Sequence, residues 1–427
     1  MAELLARADL WVIFLYLGAM LWIGWRVTDG SRNVEGYTVG NREMNGWVIG
    51  LSVLGTFLSS ITFLGVPARV FKDGHWNTFA FGAALPVAAY FAVRYFIPLY
   101  RGGIHLSAYE LLEQRFGYWA RGYAAVSYVA LQLLRVAMVY LLVALAVEPL
   151  LGWGVIPTLI VLGLVVIAYD VMGGIKAVIW TDVVQVFVLL GGALWVLVEM
   201  VTSRPGGVGQ FWRDIPPGSF SGGELASTDL AAGTFLLVFI YGISENVRNY
   251  GTDQNYIQRF LCARTERDAA KSIWFGALSY VPISIIFCLI GTGLFVFYKV
   301  PVGSGASQVA TASEERGPDH APLPAGAKPD EVFPHFIKHE LHPLARGMVI
   351  AGILAAAMST VDSCLNSMSM VLLVDLVRRW RRGKPRLPEI VTLRLFTATT
   401  GTLGTLGAIG AHVFLGTESR TLMEHWW

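Results

Sequence analysis

Ten apolar runs constrain the fold of this chain more than any other feature of its sequence. A helix needs ~20 mostly apolar residues to cross a bilayer, and each run approaches or exceeds that length. The predicted spans are Leu10–Trp25, Trp47–Val70, Thr78–Tyr100, Tyr123–Val147, Val155–Val171, Gly174–Met200, Ala231–Asn246, Ser272–Tyr298, Met348–Leu376 and Ile390–Val413. Since backbone polar groups in lipid must be paired within the spanning structure, the runs predict an all-α polytopic membrane protein.

The composition agrees with a membrane protein and argues against several other classes. Charged residues make up 15% of the chain, whereas soluble domains contain ~25%. The net charge of +2 gives no indication of nucleic-acid binding. The three cysteines are widely spaced and the histidines show no HExxH motif, so we expect neither a metal centre nor an enzyme.

The distribution of Lys and Arg predicts the orientation of the chain. Cations are concentrated after the odd-numbered spans, which places the N-terminus outside and the protein in the inner (plasma) membrane. The connection after the ninth span contains the largest group, namely Arg378, Arg379, Arg381, Arg382, Lys384 and Arg386. The polar segment Gly251–Lys271, which contains Arg259, Arg264 and Arg267, is interpreted as a solvated connector at the inner surface.

A row of polar side chains interrupts the ninth span between Gly352 and Ser369. At helical spacing Ser359, Thr360 and Ser363 share one face, with Asp362 beside them. Polar groups inside a membrane need partners. Hard oxygen atoms without imidazole or thiolate suit a small hard cation, so this face is predicted to bind one.

The second span contains a small, hydroxyl-rich middle from Gly55 to Thr62. Glycines and Pro67 weaken a continuous helix here. A broken membrane helix is tolerated where it lines a cavity, and its freed carbonyls can bind a cation. The alternative is that the small residues only allow close helix packing.

Two ionisable residues lie near the middle of predicted spans. Asp182 is eight residues after Gly174, about 12 Å along a helix. It is predicted to be functional, or else paired structurally with Lys176, Arg135 or a threonine. Arg135 is the only ionised group of its span; it either binds a substrate carboxylate or forms an ion pair with Asp182 or Asp362.

Three motifs in order along the chain resemble the sodium:solute symporter family. They are GGIKAVIWTDVVQ, the polar segment Asp253–Ala270 and AAAMSTVDSCLNS. Three further stretches, SSITFLGVPARVF, SAYELLEQRF and RVAMVYL, are most similar to the bacterial sialic acid symporters of that family. The resemblance extends from the first span to the ninth.

This resemblance implies a LeuT-type fold of two inverted five-helix repeats preceded by one extra helix. The expected division is 1–44 for the extra helix and its loop, 45–200 for the first repeat, 201–230 for an outer loop, and 231–427 for the second repeat. With four spans, the second repeat lacks its last helix, which leaves open an inactive, truncated member of the family.

The resemblance also implies ligands, which are carried over by motif. For the main sodium site they are Gly55, Leu58, Ala356, Ser359 and Thr360. For a second sodium they are Asp182, Ser359, Asp362 and Ser363, where Asp362 replaces a serine of the relatives. For the substrate they are Ser59, Thr62 and Arg135, with Phe57 and Phe81 at positions where the relatives carry polar residues.

The implied activity is secondary active transport, in which inward sodium flux drives uptake of a small organic solute. An organic anion such as sialic acid is favoured, and the alternatives are a sugar, a monocarboxylate, or a transporter-like sensor. The expected partners are the solute, sodium and the lipid bilayer. No cofactor other than the coupling ion is expected.

Overall fold

The computed structural model describes residues 8–103, 106–203, 206–226, 233–300, 323–324, 326–380 and 387–415, and within them the chain is helical without a β-strand. The helices in the first half are α1 (Ala8–Arg26), α2 (Val34–Val39), α3 (Gly46–Phe57), α4 (Ser60–Asp73), α5 (Phe79–Arg101), α6 (Glu110–Phe116), α7 (Tyr118–Leu151) and α8 (Val155–Thr202). Those in the second half are α9 (Gly207–Asp214), α10 (Phe235–Thr252), α11 (Gln254–Leu261), α12 (Glu266–Lys299), α13 (Pro329–His339), α14 (Pro343–Trp380) and α15 (Glu389–Leu415).

Helices form at every predicted span, which confirms the all-α membrane fold. Among the described residues, six helices are long and apolar enough to cross a membrane, and the bent pair of α3 and α4 makes a seventh. The predicted seventh and tenth spans fold as α10 and α15, whose polar side chains make them less apolar. Residues 231–232 of the predicted seventh span and the cations Arg381, Arg382, Lys384 and Arg386 lie outside the described residues.

The second predicted span is broken, as its small residues suggested. The axes of α3 and α4 differ by 54°, and Leu58 and Ser59 between them leave the helical conformation. Two hydroxyls stabilise the break: Ser59 Oγ accepts a hydrogen bond from the Thr62 N–H, and Thr62 Oγ1 donates to the Phe57 carbonyl at 3.2 Å. The interruption is therefore built into the local sequence.

The fifth and sixth predicted spans are joined in α8. Its 48 residues correspond to about 72 Å of helix, more than twice the ~30 Å of a hydrocarbon core. Gly174 interrupts the helix with φ +53° and ψ −147°, a conformation that favours glycine. The two halves can therefore cross the membrane separately.

One prediction is wrong in part: within Gly251–Lys271 the residues of α11 are not solvated, whereas Arg264, Arg267 and Lys271 are exposed. Every residue of α11 is buried, including Arg259 with a side chain 1% exposed. The Gln258 amide donates to Asn366 Oδ1 at 2.7 Å and to the Thr38 carbonyl at 2.5 Å. Because partners are available for each polar group, this polar helix can lie inside the protein.

The helix at the centre of the structure is α14. Of its most apolar 18-residue window, 94% is buried, and it packs along α8, where a Cβ on Gly192 would lie 3.1 Å from the Met348 carbonyl. Its polar residues therefore face other helices rather than lipid.

Replacing Gly174 tests the break in α8. In Gly174→Ala the new Cβ would lie 2.7 Å from the ring and the carbonyl of Tyr37, and the backbone would remain at positive φ. We expect a loss of about 1–3 kcal/mol of stability, measured as a lower Tm in detergent. The control is Gly18→Ala, whose Cβ would meet no atom within 4 Å; equal Tm values for the two variants would contradict this account.

Candidate ion and substrate site

The oxygen face of α14 meets the broken end of α3. Ser359 Oγ lies 3.2 Å from the carbonyl oxygens of both Gly55 and Ala356, and Thr360 Oγ1 lies 3.2 Å from the Ala356 carbonyl. Ser359 and Thr360 are buried. Leu58, the fifth residue expected at this site, is the first residue beyond α3. The arrangement presents hydroxyl and carbonyl oxygens, the ligand type that hard cations prefer.

A buried ion pair lies beside this oxygen cluster. Arg259 Nη2 donates to Asp182 Oδ2 at 2.8 Å, and both side chains are at most 1% exposed. Ser52 Oγ bridges them, donating to Asp182 Oδ2 at 2.5 Å and accepting from Arg259 Nε at 2.8 Å. Arg259 also donates to Ser363 Oγ at 2.6 Å and to the Asn255 carbonyl at 2.7 Å.

The partner of Asp182 is therefore not one that the sequence suggested. Lys176 lies 3.7 Å from Glu43, and Arg135 lies 3.7 Å from Asp253. Arg259 was missed because its polar segment was assigned to the membrane surface. The available signal was the carboxylate of Asp182 itself, since a buried carboxylate requires a cation or an equivalent set of hydrogen bonds.

The four residues expected to bind a second sodium are close together, but Arg259 is among them. Ser363 Oγ donates to the Ser359 carbonyl at 2.5 Å and lies 3.3 Å from Asp362 Oδ1. Asp362 Oδ2 accepts hydrogen bonds from the hydroxyls of Tyr169 at 2.7 Å and Thr181 at 3.4 Å. The ion pair of Arg135 with Asp362 or Asp182, one of the two alternatives for Arg135, is not formed, since Arg135 lies beside Asp253.

A cavity of about 440 Å³ adjoins the break between α3 and α4. All five residues expected to contact the substrate line it, namely Phe57, Ser59, Thr62, Phe81 and Arg135. Other polar and aromatic residues of its wall were not predicted from the sequence, including Arg69, Asn77, Glu245, Asn249, Tyr256 and Tyr280. These come from α4, the turn before α5, α10, α11 and α12, so only the fold brings them together.

Arg135 is a cation at the wall of this cavity, and a carboxylate from another helix lies beside it. Its side chain is 35% exposed and its Nη1 lies 3.7 Å from Asp253 Oδ2. The carboxylate of Asp253 is itself fixed by hydrogen bonds, because its Oδ1 accepts from the Asn255 N–H at 2.9 Å and from the Tyr128 hydroxyl at 3.3 Å. The longer distance to Arg135 leaves guanidinium N–H groups available for a planar, doubly hydrogen-bonded anion.

Phe57 lies between the oxygen cluster and the cavity. Its ring centroid is 4.7 Å from that of Tyr256, 5.6 Å from Tyr250 and 6.0 Å from Tyr280. This aromatic cluster buries the last turn of α3 and gives the cavity an apolar wall. Such a wall beside a few polar groups is typical of small-molecule sites.

A helical membrane fold with a broken helix, an oxygen cluster and an adjoining polar cavity defines a secondary transporter rather than an enzyme. The sequence model of the sodium:solute symporter family matches residues 37–397. The chain belongs to this family of sodium-coupled transporters, as its motifs predicted.

Individual proteins agree with this assignment. The chain is 31% identical to the sodium/sialic acid symporter SiaT of Proteus mirabilis, over 88% of this chain and 72% of that protein. It is 30% identical to the sodium-coupled monocarboxylate transporter 2 of Danio rerio, over 80% of this chain and 52% of that protein. A substrate-bound, outward-open structure of a Na⁺-coupled sialic acid symporter matches with a TM-score of 0.85 and 28% identity, covering 96% of this chain and 83% of that one.

The buried ion pair predicts a specific pattern of stability. Arg259→Met leaves the carboxylate of Asp182 buried without its cation, so we expect a loss of about 3–5 kcal/mol. Adding Asp182→Asn to this variant should restore much of that loss. The readout is Tm in detergent.

The matched control is Arg248→Met, which removes a half-exposed arginine paired with Glu245; exposed pairs contribute ~0–1 kcal/mol. If Arg259→Met changes Tm no more than this control, the pair does not have the structural role described.

Proposed function

We propose that the protein couples inward sodium flux to the uptake of a small organic anion, with sialic acids as the first candidates. The observation that carries the proposal is Arg135, fixed by Asp253 at the wall of the cavity that Ser59 and Thr62 also line. A guanidinium beside two hydroxyls suits a carboxylate. The similarity to SiaT of Proteus mirabilis supports a sialic acid in particular.

The proposed main sodium site consists of Gly55, Leu58, Ala356, Ser359 and Thr360. Its support is the 3.2 Å approach of Ser359 Oγ to the Gly55 carbonyl, which joins α14 to the end of α3. The ion would contact the final turn of α3, and the solute would contact Ser59 and Thr62 directly after it. Sodium and solute would therefore both order the break between α3 and α4. Because one ligand orders the segment that the other contacts, the affinity for each would depend on the other.

The energy for uptake comes from the inward movement of sodium. Each sodium that enters gains ~2.3 kcal/mol per 100 mV of membrane potential, in addition to its concentration gradient. When the sodium site opens to a sodium-poor interior, the ion leaves, the break loses one stabilising ligand, and the solute is released.

We also propose that Asp182, Ser359, Asp362 and Ser363 hold a second cation. Asp182 Oδ1 is buried and accepts no hydrogen bond from a described residue. With both carboxylates ionised, Asp182 and Asp362 carry one more charge than Arg259 neutralises. A sodium ion would balance that excess.

The proposed placement is the inner (plasma) membrane with the N-terminus outside. At the ends of α1, α5 and α14, and at the start of α12, the described cations include Arg26, Arg101, Arg378 and Arg267. The positive-inside rule assigns these ends to the cytoplasm. We further propose that residues 45–200 and 231–427 form the two inverted repeats.

A monocarboxylate is the second candidate substrate. The relative in Danio rerio is 30% identical to this chain and is a monocarboxylate transporter. Both substrate classes offer a carboxylate to Arg135, and they differ in the volume of cavity that they fill.

Removing the hydroxyls of the main sodium site should raise the sodium requirement. In proteoliposomes with an imposed sodium gradient, Ser359→Ala and Thr360→Ala should each raise the sodium concentration for half-maximal uptake of labelled sialic acid or lactate about tenfold, the equivalent of ~1.4 kcal/mol. The control is Ser369→Ala, on the same helix, whose Oγ donates to the Asn366 carbonyl at 2.8 Å. Uptake that responds to all three changes alike would remove the site assignment.

Changing Arg135 separates anionic from neutral substrates. Arg135→Ala should weaken sodium-dependent binding of sialic acid or lactate about 30-fold or more, since truncating one partner of a buried charge pair costs ~2–5 kcal/mol. Arg135→Lys keeps the charge but loses the planar, two-pronged guanidinium, so its affinity should lie between those of the unmodified protein and Arg135→Ala. Arg94→Ala, at an exposed position, is the control; binding measured by calorimetry that is unchanged in Arg135→Ala would contradict an anionic substrate.

A further inference from the structure

A groove separate from the transport cavity lies where α3 and α12 begin at one face of the membrane. Its volume is about 690 Å³. The two helices nearly touch at its base, where a Cβ on Gly46 would lie 2.7 Å from the Asp268 carbonyl. Above this contact the side chains of Trp47 on α3 and of Arg267, Lys271 and Trp274 on α12 form the walls.

Two cations of this groove have no partner among the residues that the structure describes. Arg267 and Lys271 are one turn apart on α12, and both are exposed. Neither forms an ion pair or hydrogen bond within the described part of the chain. The described lining of the groove also contains one carboxylate, Asp268, whose Oδ2 accepts from Thr265 Oγ1 at 2.8 Å. Two cations and one carboxylate leave the groove with a net charge of +1.

The first turn of α3 adds to the positive character of this groove. Asn45 precedes α3 but its side chain caps none of the N–H groups of that turn. Uncapped N–H groups and the helix dipole favour an anion at this position. This end of α3 supports the site only together with the two side-chain cations.

Apolar side chains continue from the cations toward the membrane interior. Trp47 is 54% exposed, Phe275 41% and Leu278 55%. Arg267 and Lys271 directly precede the apolar part of α12, so they lie at the depth of lipid headgroups, where tryptophan is also favoured. A ligand that fits has an anionic head and an apolar chain.

We propose that this groove binds an anionic phospholipid. Its phosphate lies between Arg267, Lys271 and the start of α3, and an acyl chain runs along Trp274, Phe275 and Leu278. Charge complementarity favours this ligand over a zwitterionic lipid, in which a cationic group would face the same two side chains. Since α3 also ends at the oxygen cluster, the lipid holds the opposite end of the helix that contacts the coupling ion.

The test measures lipid binding by the full-length protein in detergent, using native mass spectrometry and Tm. Phosphatidylglycerol is expected to be retained and to raise Tm, whereas phosphatidylcholine and inorganic phosphate are not. The variant Arg267→Gln/Lys271→Gln should lose about tenfold or more in phosphatidylglycerol affinity, because each cation near a lipid surface contributes about fivefold.

The matched control is Arg26→Gln/Arg32→Gln, which removes the same charge from exposed positions outside the groove. It should bind phosphatidylglycerol as the unmodified protein does, and so should Arg267→Lys/Lys271→Arg, which keeps both charges and shows that the region folds. Equal loss in the control would assign binding to general surface charge and overturn the site. Unchanged binding in the Gln pair, or an equal effect of inorganic phosphate, would also overturn it.

Discussion

The structure depends on the buried pair of Asp182 and Arg259. Each charge would be costly to bury alone, and their 2.8 Å contact inside the protein makes both tolerable. The pair joins α8 to α11, and through Ser52 and Ser363 it also joins α3 and α14. The last two helices supply the oxygen cluster. The position of the proposed sodium ligands is thus set by an interaction between protein side chains.

Much of this arrangement follows from the sequence, and the rest required the fold. Long apolar runs predicted the helices. The hydroxyls of Ser359 and Thr360 indicated which face of α14 carries the oxygen cluster, because hydroxyls in lipid need partners. The motifs carried over Phe57, Ser59 and Arg135, which do line one cavity. Arg259 was misplaced because a charged helix looks the same in sequence whether water or buried partners satisfy it. The cavity residues from α10 and α12 were missed because local patterns contain no information on which distant helices become neighbours.

In the proposed mechanism, the break between α3 and α4 connects the sodium site with the solute site. Gly55 lies before the break and faces Ser359, while Thr62 lies after it and faces the cavity. The hydrogen bond from Thr62 Oγ1 to the Phe57 carbonyl crosses the break at 3.2 Å. Only a few residues therefore separate the two proposed sites, and no long-range pathway is needed to link them.

The near-complete burial of α14 has a consequence for how the protein is made. A helix with Asp362, Asn366 and several serines is poorly suited to lipid on its own, so it needs neighbours that are already in the membrane. Its principal contacts are with α8, α1 and α7, which all leave the ribosome before it. The helices that contact α14 are therefore synthesised first, so partners for its polar side chains can already be in the bilayer when α14 is inserted.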